Sequence, residues 1–161
     1  MLNRRPDFYR LCLEALRDYP GMVVMSVGRA TDIATLGPLP DHVIARNHVP
    51  QLPVLRRTAL FITHAGMNSV HEALYHDVPL LLFPQSHEQN DVADRVVALG
   101  AGRRLPEKGL TPDSLRAAVD AALADPDLRV GSQRLGETFR TAGGASAAVD
   151  AIMAFKMQGG F

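Results

Sequence analysis

At 161 residues the chain is long enough for one domain with a buried core, and 47% apolar with 21% charged residues is ordinary for a globular protein. The 17 basic residues balance the 17 acidic ones, so no positive excess points to nucleic acid or an anionic membrane. Cys12 is the sole cysteine, which excludes an internal disulfide, and no apolar run reaches the length of a membrane span. The opening Asn3-Arg4-Arg5 is polar and lacks the apolar core of a signal peptide, so the expectation is a cytoplasmic protein.

In chain order, Phe8, Leu11, Cys12, Ala15 and Leu16 recur at helical spacing, which predicts a helix from Pro6 to Asp18. Tyr19-Pro20-Gly21 stops it. Met22 to Val27 reads as a strand, 29–42 as a loop with a helical turn near Ile33, Val43 to Asn47 as a strand, and Gln51 to Arg57 as a short helix.

The next stretch, 60–90, carries the chemistry. Leu60 to Thr63 is a strand-like apolar run broken by His64-Ala65-Gly66, where Gly66 permits a sharp turn or a close backbone approach. A helix opens at Met67 or Asn68 and runs to Tyr75. Pro79 to Phe83 is a buried strand that Pro84 ends, and a polar loop with Glu88-Gln89-Asn90 follows before a helix over Asp91 to Leu99. A helix starting at the carboxyl end of a parallel strand presents N–H groups without intrahelical partners, and these suit a diphosphate. Asn68 and Ser69 lie in its first turn. Glu72 shares a face with Asn68 one turn deeper and suits a hydroxyl pair such as a ribose diol.

Beyond this stretch, a short edge strand near 103–105 is expected. Thr111-Pro112-Asp113 reads as a helix start with Thr as N-cap and Pro at N1, and Asp125-Pro126 as another. Gly143-Gly144 breaks the chain before a last amphipathic helix bearing Ala145, Ala148, Val149, Ile152 and Met153. The alternation predicts an α/β fold, a Rossmann-like parallel sheet with helices on both faces. A fold of this type opens on a strand, whereas this chain opens on a helix. The expectation is therefore that its first, central strand is missing, with strand borrowing in a homodimer as one consequence.

His64-Ala65-Gly66-Met67-Asn68-Ser69, Glu72, Val78-Pro79, Pro84 and Glu88-Gln89, with Val49-Pro50-Gln51 upstream, resemble the signature of nucleotide-sugar glycosyltransferases of the two-Rossmann-domain (GT-B) type. The nearest branch is that of the bacterial macrolide glycosyltransferases, relatives of the UDP-glycosyltransferases. The likeness covers almost the whole chain as a single donor-binding domain, the C-terminal half of such an enzyme. It implies that His64 and Gly66, Met67, Asn68 and Ser69 hold the donor diphosphate. It further implies that Val49 meets the base with His48 stacking on it, that Gln51 and Glu72 hold the ribose, and that Glu88 and Gln89 bind the sugar. His48 stands where the family usually has Trp, a larger platform. The implied substrate is a UDP- or TDP-sugar, transferred with inversion to a hydroxyl of a small hydrophobic acceptor. No cofactor or metal is implied, and the general base would lie in an N-terminal acceptor domain absent here.

Blander readings stand beside these. His64 alone suits a strand end, Asn68 and Ser69 a helix cap, and Glu72 a solvated helix face. His71 and His76 are five apart and off one face, so they make no metal pair. Ser69 lacks a nucleophile elbow. Two other functions remain open: the donor subunit of a split N-acetylglucosamine transferase that recruits a partner chain, and a non-catalytic, self-associating nucleotide-binding fragment.

Overall fold

A computed structural model describes residues 6–157; the polar run Asn3-Arg4-Arg5 lies outside them. The elements follow as α1 (Pro6–Ala15), β1 (Val23–Ser26), a 3-10 turn (Ile33–Leu36), β2 (Val43–Arg46), α2 (Gln51–Leu55), β3 (Phe61–Thr63), α3 (Met67–Tyr75), β4 (Leu80–Leu82), α4 (His87–Ala98), β5 (Gly102–Arg104), α5 (Pro112–Leu123), α6 (Pro126–Thr141) and α7 (Gly144–Met157). The last helices start as their residues dictate. The Thr111 hydroxyl accepts from Ser114 N in a capping box, and the Asp125 carboxylate accepts from Asp127 N and Leu128 N, each with Pro at the first helical position.

All strand pairs are parallel. β1 pairs with β2, with Val23 opposite Val43, and β4 pairs with β3 and β5, with Leu81 between Ile62 and Arg103. The expected sheet is thus present in two hydrogen-bonded pieces, β2-β1 and β3-β4-β5.

Alternation along β4 divides the core. Leu81 joins a cluster with Cys12, Leu16, Met25, Val27, Leu115 and Val119, while Leu80 and Leu82 join Val70, Leu74, Val92 and Val96. Helices α1 and α5 therefore cover one face of the three-stranded piece, and α3 and α4 the other. The two-stranded piece is covered on one face. Val24 and Ile44, paired across its strands, stay 39% and 38% exposed on the other.

Helix α1 ends at Ala15, short of Asp18, α2 ends at Leu55, short of Arg57, and the start of α4 also differs from expectation. Glu88, Gln89 and Asn90 belong to the first turn of α4, which begins at His87 with Ser86 at its N-cap. The Gln89 side chain folds back and accepts from Gln85 N at 2.8 Å, much as the fourth residue of a capping box does. Glu88 in the first turn suits the positive end of the helix. The pattern Ser86-x-x-Gln89 is the sequence signal for this start.

Candidate nucleotide site

The turn between β3 and α3 builds the site. Ala65 takes φ = 64° and is fully buried, so the left-handed residue of the turn is an alanine. Gly66 has an ordinary φ of −64°. Its lack of a side chain serves packing: a Cβ there would lie 2.7 Å from His64 Nε2. The imidazole thus rests against the backbone at the start of α3. Burial lowers the pKa of His64 below its usual 6.5, so it stands neutral at pH 7.

Gly66 is the N-cap of α3 and brings no side chain to cap it. Val70 N donates to Gly66 O at 3.0 Å, the first rung of the helix. The N–H groups of Met67, Asn68 and Ser69 lie before that rung and have no intrahelical acceptor. Met67 and Asn68 are exposed. Neither Asn68 nor Ser69 acts as the cap, which corrects the capping expectation. Ser69 turns to α2 instead, where Gln51 Nε2 donates to its hydroxyl at 3.2 Å and to Glu72 Oε2 at 2.7 Å. Gln51, Ser69 and Glu72 form one polar group beside the open helix end.

The other expected residues lie in the loop before α2 and on α4. His48 is exposed in the loop before α2, and Val49 beside it is half-buried. Glu88 is exposed on α4, whereas Gln89 is buried and its carbonyl is engaged by the backbone. An open cleft of about 410 Å³ at the end of β4 is bounded by Pro84, Gln85, His87, Asn90, Glu107 and Lys108. Arg104 holds its wall, donating to Asn90, Asp94 and Glu107. Sequence reasoning missed Arg104, whose partners converge only in the fold. It also missed Thr63, whose buried hydroxyl, one residue before His64, has no hydrogen-bond partner among the described residues. Among the described residues, no three His, Cys, Asp or Glu side chains cluster as metal ligands. No described helix is long and apolar enough to cross a membrane.

Comparison with known proteins gives this geometry a context. Residues 10–151 match the family described as Erythromycin biosynthesis protein CIII-like, C-terminal domain. The NDP-glycosyltransferase YjiC of Bacillus subtilis (strain 168) is 42% identical over 153 residues, which make up 95% of this chain and 39% of that protein. Among solved structures, CalG4, the calicheamicin glycosyltransferase, matches with a TM-score of 0.93 at 36% identity, over 98% of this chain and 41% of its own. The glycosyltransferase VinC, solved in complex with DTDP, matches with a TM-score of 0.74 at 27% identity, over 82% of this chain and 33% of its own. The chain thus spans about two fifths of the length of the curated relatives it matches.

Proposed function

Because the chain belongs to the EryCIII-like C-terminal domain family of NDP- and macrolide glycosyltransferases, we propose that it grips the nucleotide diphosphate of a UDP- or TDP-sugar. The observation that carries this reading is the start of α3, which no side chain caps, with His64 against Gly66 and Gln51 bonded to Ser69 and Glu72 of the same helix. The helix N–H groups meet the diphosphate, and His64 adds a donor. Glu72 accepts from the ribose hydroxyls, with Gln51 fixing its rotamer. Val49 and His48 border the base, and Glu88 and Gln89 face the sugar. The VinC complex with DTDP supports a nucleotide diphosphate as ligand in this fold.

In the whole enzyme the reaction is transfer of the sugar, with inversion, to a hydroxyl of a small hydrophobic acceptor. Diphosphate leaves, and the α3 N-terminus and His64 stabilise its growing charge, so this reading requires no metal. The base that takes the acceptor proton belongs to the acceptor domain. Titration calorimetry with UDP and TDP tests the reading: saturable binding supports it, and a folded chain that binds neither overturns it. Alone, the chain transfers no sugar, and glycoside formed by the purified chain from a UDP-hexose would refute that.

A second reading, a split enzyme whose acceptor half is a separate chain, is favoured by α7. None of its described residues is buried, and Val149, Ile152, Met153 and Phe155 are all more than half exposed. A stoichiometric co-purifying partner supports it; a chain that purifies alone counts against it.

A further inference from the structure

Arg103 and Arg104 end strand β5 and, as neighbours on a strand, turn to opposite faces. Arg103 reaches Asp125, the N-cap residue of α6. Arg104 reaches α4 and the loop after β5. Its backbone is pinned to the middle of the three-stranded piece. Arg104 lies opposite Leu82 of β4, and the next residue, buried Leu105, donates its N–H to Leu82 O at 2.9 Å. The guanidinium therefore extends from a fixed point of the sheet.

From that point it ties three side chains. Nη1 donates to Asp94, and Nη2 donates to Asn90 and, at 3.1 Å, to Glu107. Asn90 and Asp94 are four apart on α4, so one planar group grips two successive turns on one face of the helix. Such a grip resists both sliding along the helix axis and rotation about it. The Asp94 and Glu107 carboxylates are 66% and 57% exposed, so water screens both ion pairs and they add little to global stability. What they fix is a direction.

The residue governed by that direction is Glu88. It lies two positions before Asn90, about 200° around the helix from it, and so on the side away from Arg104. Among the described residues no side chain bonds to Glu88, and Ser86 makes no side-chain cap at the helix start. The Gln89 side chain binds back to Gln85 N beside the same turn and does not tie that turn to the sheet. The aim of Glu88 thus depends on how α4 is turned.

We propose that Arg104 is a positioning residue for the donor sugar, acting through α4: by fixing how that helix is turned, it aims Glu88 at the sugar hydroxyls. The inference rests on the nucleotide-sugar reading above and assigns Arg104 to the sugar end of the donor alone. The nucleotide end is built by Gln51, Ser69, Glu72 and His64, on α2, α3 and the turn before α3, and none of these bonds to Arg104.

Titration calorimetry of the full chain with UDP, TDP, UDP-glucose and TDP-glucose separates the two ends. Arg104→Met should weaken the glucose-bearing ligands on the order of 10-fold, while UDP and TDP stay within about 2-fold of the parent. Arg104→Lys, which keeps the charge but not the fork, should recover part of the loss. Arg103→Met removes an arginine from the other face and should leave all four affinities unchanged. A merely structural role would weaken all four ligands together, in step with the folded fraction. Where Arg104→Met does not fold, Asn90→Ala removes one tether and keeps the arginine, and the same split is expected at about 3-fold. Equal losses for UDP and UDP-glucose, no loss in either variant, or the same split in Arg103→Met overturns the inference and leaves the nucleotide reading intact. So does a parent chain that binds UDP or TDP but neither glucose-bearing ligand. A parent chain that binds none of the four overturns both.

Discussion

Gln51 and Glu72 face each other across the gap between α2 and α3, the amide donating to the carboxylate at 2.7 Å. Gln51 leaves one Glu72 oxygen to another donor and fixes the direction in which it points. This is the arrangement a carboxylate needs if it is to receive a diol. Removing the carboxylate takes away a charge-assisted acceptor worth about 1.5–3 kcal/mol. Glu72→Ala should therefore bind UDP on the order of 10- to 100-fold more weakly in calorimetry. Its thermal midpoint should stay near that of the parent, because the side chain is only half-buried.

Gly66→Ala asks whether the bare backbone under His64 matters. The new methyl would sit 2.7 Å from the imidazole nitrogen, so the ring must swing away from the helix start. The backbone tolerates alanine there, since φ is −64°. The expectation is a stability loss of about 1 kcal/mol with a much larger loss of UDP affinity. An affinity equal to the parent's would remove His64 from the site.

The pH dependence follows from the buried imidazole. His64 has a lower pKa folded than unfolded, where it is near 6.5. As pH falls through 6.5, the unfolded chain takes up the proton first, so the fold loses stability until pH passes below the folded value. A bound diphosphate favours the imidazolium. UDP binding should therefore take up protons and tighten as pH falls toward the folded value, with no further gain below it. Calorimetry in buffers of different ionisation enthalpy reads the uptake, and His64→Ala should abolish it.

Gly136→Ala tests the packing behind the site. Helix α6 approaches α3 so closely that a Cβ at 136 would meet Asp77 Oδ1 at 2.1 Å and Leu74 O at 2.5 Å. Arg140 on the same helix donates to Tyr75 O and Asp77 Oδ1 at the end of α3. The substitution should cost about 3 kcal/mol, visible as a lowered midpoint in denaturant. Its weakening of UDP binding should be secondary and should disappear where the folded fraction is matched.

Local rules made much of the chain legible. The apolar run 60–63, the Pro84 stop and the Thr111-Pro112 and Asp125-Pro126 starts act within a few residues, and each element forms where they point. The stretch from Phe61 to Phe83 reads correctly as strand, turn, helix and strand for the same reason. The start of α4 was missed because Glu88, Gln89 and Asn90 look like loop residues until Gln89 bends back to Gln85 N. The left-handed Ala65 was hidden beside Gly66, the more obvious turn residue. The approach of α6 to α3, and Arg104 gathering Asn90, Asp94 and Glu107, arise from tertiary packing that no local pattern encodes.

Ala65 has a consequence for how the site meets its ligand. An alanine in the left-handed region costs on the order of 1 kcal/mol relative to glycine, and here it is held by complete burial of the residue. Glycine would relax that strain and would also let the turn sample other shapes. The alanine locks one shape, so the α3 amides and His64 keep their mutual angle before any ligand arrives. Most of the ordering entropy of the site is then spent during folding, and an incoming anion has little left to organise.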